Sequence, residues 1–280
     1  MTQPLTAPRG ITDDEFGSIS ELLRQQTGIR LAPGKETLVM GRLDKRLRWL
    51  GIATYREYLH LLRQPGDNPE LRLAIDLLTT NETFFFREPR HFEFLRRVAS
   101  AVPPSSRVFR LWSAASSSGE EAYTAAMVLA DSLPGGRFEI VGTDVSTRVV
   151  ERAQRGVYPI EAAEKIPLPL LRKYCRKGRE EYTGLLALAP EVRAKTTFLW
   201  ANLLDDLRPL GQFDVIMLRN VMIYFEPETK AALVRRLEEM LRPGGYFVVS
   251  LSETLKGMES NLRLVEPSIY TLAGAGGGSA

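Results

Sequence analysis

From about Arg107 onward, short apolar runs alternate with helical stretches, and this alternation restricts the fold more than any other feature of the chain. "RVFRLWSA" reads as a buried strand, and "SSSGEEAYTAAMVLADSL" turns through Gly119 into a helix. "FEIVGTDVS" is a second strand ending on Asp144, with Ser146 placed to cap the helix "TRVVERAQ". "TTFLWANL" and "FDVIMLRN" read as further strands. "PETKAALVRRLEEMLRPGG" reads as a helix closed by Pro-Gly-Gly, and "YFVVSLSE" as the strand after it. Such alternation predicts the α/β class, a doubly wound sheet with ligand sites at the carboxyl ends of its strands.

The chain before this point has a different period. From Thr12 to about Val98 the signals are helical. Thr12 followed by Glu15 forms a capping box, and Gly28 ends the helix that it opens. Val39, Leu43, Leu47 and Leu50 make one apolar stripe at helical spacing. Tyr55, Tyr58, Leu59 and Leu62 make another behind Thr54, and Pro69 opens a helix carrying Leu71, Ile75 and Leu78. We therefore expect a small all-helical domain over residues 10–85 and an α/β domain over 86–273. One stretch breaks the alternation: "KYCRKGREEYTGLLALAPEVRAKTTF" has charged, glycine-containing turns between short runs able to pair, which predicts a small β insertion at about 173–198. The first ten residues and the terminal "GAGGGSA" read as loose ends.

Composition narrows the function classes. The chain has 280 residues, 44% hydrophobic and 25% charged, enough to build a sizeable core. No apolar run approaches the roughly 20 residues that span a bilayer, and "MTQPLTAPRG" carries no apolar signal segment, so a cytoplasmic location is expected. One cysteine, Cys175, excludes an internal disulfide. With His60 and His91 as the only histidines, no familiar zinc spacing exists, so no metal is expected. The net charge of +3 permits an acidic partner without calling for nucleic acid. Nothing resembles a coiled coil, and a monomer is expected.

The strand ends carry the chemistry. A dinucleotide site would place G-x-G-x-x-G after the first strand, but the loop here is "SAASSSGEEAY", small residues with one glycine. Glu120 and Glu121 at the helix start would repel a pyrophosphate and welcome an ammonium or sulfonium group. Either could instead complement the helix dipole. Asp144, at the end of the second strand, can bind both hydroxyls of a ribose. Together these features favour S-adenosylmethionine over NAD or ATP.

Between the two regions lies "TTNETFFFREP", which sets Asn81, Thr83 and Arg87 around three phenylalanines. This string, then "WSAASSSGEEAY", "GTDVS", "ANLLDDL", "FDVIMLRNVMIYF" and "LRPGGYF", occurs in the order found in CheR-type chemotaxis receptor methyltransferases. The chain resembles that family from roughly Thr12 to Leu272. The resemblance implies a class I S-adenosylmethionine-dependent methyltransferase sheet with a helical N-terminal domain and a β insertion. It implies methyl transfer to glutamate side chains on chemoreceptor cytoplasmic helices, leaving S-adenosylhomocysteine.

By motif, Asn81, Thr83 and Arg87 would meet the cofactor's methionine end, with Glu121, favoured over Glu120, nearby. Asp144 would take the ribose, Asn202 and Leu203 would frame the adenine, and Arg219 and Asn220 would close the pocket. The phenylalanines would anchor the linker between the domains. A glutamate carboxylate is already anionic at pH 7 and needs no general base. Tyr224 and Arg87 would therefore act by positioning it. Arg42, Lys45, Arg46 and Trp49 fall along one helix flank and would dock an acidic partner; a solvated face is the plainer reading. In this family the β insertion can also hold a receptor's C-terminal pentapeptide as an added strand. Two competing readings are an RNA methyltransferase and a cofactor sensor without activity. The first lacks the Asn/Asp-Pro-Pro-Tyr type of loop. The second sits poorly with intact Arg87, Asp144 and Tyr224.

Overall fold

The computed structural model describes residues 9–103, 107–133, 135 and 137–272. Most of both expected loose ends, residues 1–8 and 273–280, lies outside the described residues. Four helices come first: α1 (Asp13–Thr27), α2 (Glu36–Leu50), α3 (Tyr55–Leu62) and α4 (Pro69–Leu78). Their boundaries follow local chemistry. Thr12 and Glu15 exchange both hydrogen bonds of the capping box, and Gly28 closes α1 in the left-handed region. Thr54 caps α3, and Asn68 caps α4 beside Pro69. Val39, Leu43 and Leu47 from α2 meet Tyr55, Tyr58 and Leu62 from α3 in a separate apolar core.

The rest of the chain comprises α5 (Pro89–Ser100), β1 (Phe109–Ser113), α6 (Glu120–Ser132), β2 (Phe138–Asp144), α7 (Thr147–Arg155), β3 (Val157–Pro159), α8 (Leu168–Tyr174), β4 (Cys175–Lys177), β5 (Leu185–Leu188), α9 (Pro190–Arg193), β6 (Thr196–Trp200), β7 (Phe213–Met217), α10 (Pro227–Glu238), β8 (Leu241–Val248), β9 (Leu262–Glu266) and β10 (Ile269–Leu272). The large sheet has the order β6-β2-β1-β7-β8-β10-β9. Its strands are parallel from β6 to β8, and β10 and β9 add antiparallel. Apolar clusters cover both faces, as parallel strands require. From β1 the chain steps to β2 on one side and later to β7 on the other. That reversal opens a crevice at the strand ends, where ligands of such sheets bind.

Three expectations need correction, and one hairpin has no counterpart in the sequence reading. The helix before β8 ends at Glu238, and "LRPGG" belongs to the strand; Pro243 has no N–H for the ladder, and the β7–β8 register shifts there. The small sheet, in the order β3-β5-β4, draws in residues 157–159, upstream of the expected 173–198. Thr196–Phe198, expected in the insertion, lie in β6 at the edge of the large sheet. The β9–β10 hairpin was not expected at all; Leu264 and Val265 are exposed in a five-residue strand with little alternation to reveal it.

Candidate functional site

A cavity of about 530 Å³ occupies the crevice, with the helical domain as its far wall. Asn81, Thr83, Arg87, Glu121, Asp144, Asn202, Leu203, Arg219, Asn220 and Tyr224 all line it. These residues come from separate stretches of chain, and the ends of β1, β2, β6 and β7 bring them together.

Asp144 sits at the end of β2 and is 8% exposed. Its carboxylate accepts the Ser117 N–H at 2.9 Å and the Ser146 N–H at 3.0 Å. Burial nonetheless pushes the carboxyl up from 3.8 to about 6; those backbone N–H groups oppose the shift and nearby Asp76 adds to it. Ser146 occupies the N-cap of α7, but its hydroxyl makes no capping bond and is buried without a partner, which corrects the expected cap. The start of α7 is instead held from the helical domain, where Asp76 accepts the Thr147 hydroxyl at 2.7 Å.

The two glutamates of α6 separate cleanly. Glu120 is buried away from the cavity, accepts the Ser118 hydroxyl at 2.7 Å, and has its carboxyl pushed up by desolvation. Glu121 lines the cavity, accepts the Ser113 hydroxyl at 2.7 Å and meets Arg219 Nη1 at 2.6 Å. Geometry thus puts Glu121, not Glu120, at the cavity. The Arg219 side chain is 1% exposed; it also reaches Glu88 at 3.2 Å and donates to the Arg87 carbonyl.

The linker aromatics divide the work. Phe85 is buried edge-on against Tyr158, and Phe86 packs on Phe92. Phe84 does not anchor the linker as expected. It is 40% exposed at the cavity, with Arg87 5.8 Å and Lys165 5.9 Å from its ring centre. Arg87 stands between two residues with left-handed backbone, Phe86 and Glu88, a conformation uncommon for bulky side chains. Its guanidinium donates to the Glu82 carbonyl at 2.8 Å.

The opposite wall depends on the turn after α1. Asn202 donates to the Gln26 carbonyl at 2.6 Å and accepts the Leu204 N–H at 3.0 Å. Arg30 N–H donates to the Tyr224 carbonyl at 2.9 Å, and its side chain pairs with Glu226 at 3.0 Å. Gly28 lies between these contacts with φ of 79°, and a Cβ there would stand 3.3 Å from Leu204 and Phe225. Sequence reasoning missed Gln26, Arg30, Asp76 and Glu88. Gln26 contributes only a carbonyl and Arg30 also a main-chain N–H, so no side-chain pattern marks those contacts.

The expected docking flank is split. Lys45 and Trp49 are exposed on α2. Arg46 lies 4.2 Å over the Trp49 ring and is tied to Glu70 of α4. Arg42 lines the cavity and donates to the Leu78 and Thr79 carbonyls and the Thr80 hydroxyl, satisfying the end of α4.

Residues 81–271 match the family model described as CheR methyltransferase, SAM binding domain, and residues 14–79 match CheR methyltransferase, all-alpha domain. The chain belongs to the CheR methyltransferase family. It is similar to Chemotaxis protein methyltransferase 2 of Pseudomonas aeruginosa, at 39% identity covering 94% of this chain and 94% of that protein. It is also similar to Chemotaxis protein methyltransferase of Escherichia coli, at 36% identity covering 96% and 94%, and to that of Salmonella typhimurium, at 35% covering 98% and 93%. The cofactor of this CheR-family methyltransferase is S-adenosylmethionine. The donor set fits it: the cavity has the carboxylates of Asp144 and Glu121 toward a diol and cationic groups, and the apolar Leu203 beside Asn202. Among the described residues no helix is long and apolar enough to cross a membrane.

Proposed function

We propose that this methyltransferase transfers the methyl group of S-adenosylmethionine to glutamate side-chain carboxylates on chemoreceptor cytoplasmic helices, forming glutamyl methyl esters for chemotactic adaptation. The observation that carries this reading is the make-up of the cavity wall: Arg87 and Tyr224 border the cavity that holds the cofactor-side carboxylates, and no histidine or cysteine lines it among the described residues. A site built to methylate an anion needs placement and desolvation, and no general base. The names of relatives such as those of Pseudomonas aeruginosa and Escherichia coli, chemotaxis protein methyltransferases, support methylation in chemotaxis.

When bound, the cofactor supplies an electrophilic methyl on a sulfonium. Asp144 would accept from the ribose hydroxyls, Asn202 and Leu203 would hold the adenine, and Asn81, Thr83 and Glu121 would hold the methionine end. Arg219 keeps Glu121 in place, and Asn220, whose N–H donates to Glu253 at 3.0 Å, shapes the adjoining turn. Tyr224 and Arg87 orient the incoming carboxylate. A tight ion pair with Arg87 would stabilise the ground state and slow the reaction, which fits a guanidinium already engaged by the Glu82 carbonyl.

The helical domain, residues 10–85, is the receptor-docking part, with Lys45 and Trp49 as its accessible contacts and Arg42 and Arg46 as braces behind them. The small sheet offers β3 and β4 as edges to which a receptor's C-terminal pentapeptide can add. Such an enzyme works as a cytoplasmic monomer. Incubation with labelled S-adenosylmethionine and receptor cytoplasmic fragments, with total RNA as control, tests the reading. Receptor label released as methanol by mild base is expected; base-stable label on RNA overturns the substrate assignment.

A further inference from the structure

Arg219 is shared between two carboxylates, and only one of them borders the cavity. Its Nη1 meets Glu121 at 2.6 Å, and its Nη2 meets Glu88 at 3.2 Å. Glu88 is fixed from several directions. Its backbone is left-handed at φ 58°, the Leu251 N–H donates to it at 3.1 Å, and its side chain is 17% exposed. His91 Nδ1 stands 3.4 Å from the same carboxylate. Burial and nearby Arg219 push that imidazole down to about 4, so it adds no charge at neutral pH. The group therefore holds two anions and one cation beside the cavity, a net charge of −1. Without Glu88, Arg219 and Glu121 would cancel.

We propose that Glu88 is a specificity-determining residue which, by neutralising Arg219 from behind, keeps Glu121 electrostatically negative toward a sulfonium, and so favours S-adenosylmethionine over S-adenosylhomocysteine. The two ligands differ by one methyl and one positive charge at sulfur. A net negative group nearby binds the charged one more tightly and leaves the neutral sulfur of the other almost unaffected. The inference rests on the reading above that Glu121 faces the methionine end. Even at about 12 Å and an effective dielectric constant of about 20, removing one charge changes affinity about tenfold.

The test is calorimetric titration of the full chain with each ligand, using Glu88→Gln and Glu88→Asp. The expected result is that Glu88→Gln raises the ratio of Kd for S-adenosylmethionine to Kd for S-adenosylhomocysteine about tenfold, whereas Glu88→Asp leaves the ratio within about twofold. Should Glu88→Gln fail to fold, Glu88→Asn against the isosteric Glu88→Asp makes the same comparison. Parallel weakening of both ligands with an unchanged ratio would mean that Glu88 only packs, and overturns the proposal. Wild-type protein that binds both ligands while Glu121→Gln leaves both affinities unaltered would instead overturn the placement of Glu121.

Discussion

Replacing Asp144 by asparagine is expected to remove a pH-dependent cost from the free protein and to weaken the cofactor complex. The folded-state pKa of Asp144 is raised from 3.8 to about 6, chiefly by burial. A raised carboxyl favours the fold fully only below about pH 3.8, and that contribution is lost as pH rises through about 6. Above pH 6 the free protein carries a buried anion whose ionisation costs about 3 kcal/mol at most. Asp144→Asn removes that cost but turns an amide NH2 toward one of the two backbone N–H donors, so the Tm of the variant relative to wild type should be several degrees more favourable at pH 7.5 than at pH 4. Cofactor binding should have the opposite sign, because in the proposed placement the ribose hydroxyls would donate to the anion. A group with a pKa of about 6 is about nine-tenths ionised at pH 7 and about one-tenth at pH 5, so affinity should fall about tenfold between them. Titration calorimetry at several pH values, in buffers of differing ionisation enthalpy, reads both the loss and the proton released on binding near pH 6. Wild-type affinity that is flat from pH 5 to 7.5, or a Tm difference between variant and wild type that is the same at pH 4 and pH 7.5, would refute the reasoning.

Tyr224→Phe should lower turnover on receptor fragments while cofactor affinity stays within about twofold; a large affinity loss would remove Tyr224 from the acceptor side. Gly28→Val should cost about 1–2 kcal/mol in chemical denaturation, since the position is left-handed and its Cβ meets Phe225, and should lower cofactor affinity through Asn202. The α2 cations should split. Lys45→Glu should leave stability unchanged and weaken receptor methylation and its salt dependence, whereas Arg46→Glu should destabilise the helical domain by about 2 kcal/mol by facing Glu70. Equal effects of the two reversals on methylation, with equal stability, would restore the single basic flank.

Sequence patterning disclosed whatever local chemistry decides. Thr12 with Glu15, Gly28 and Pro69 set helix limits within a few residues of each other, and a capping box or a left-handed glycine needs no tertiary partner. Asp144 was visible because a parallel strand delivers its last residue to the crevice whatever surrounds it. What stayed hidden depends on folded neighbours. Glu120 and Glu121 are indistinguishable until α6 packs one of them against Ser118. Ser146 fits an N-cap by type, yet its own N–H goes to Asp144 and its hydroxyl is buried without a partner. Arg42 and Arg46 look like surface cations until α4 supplies the carbonyls and Glu70 that hold them. Phe84 reads as core among three phenylalanines, although its neighbour Phe85 takes the buried place.

The turn after α1 has a consequence for protein engineering. Gln26, Gly28 and Arg30 make their contacts across the domain boundary by main-chain groups and close packing, with the Arg30 side chain also paired to Glu226. A chimera that borrows a relative's helical domain to change receptor preference would thus import a new wall for the catalytic pocket along with the new docking face. If α2 docks the receptor as proposed, exchanging only its exposed face around Lys45 and Trp49, with Arg42 and residues 26–30 kept from the recipient, would separate choice of target from competence to react.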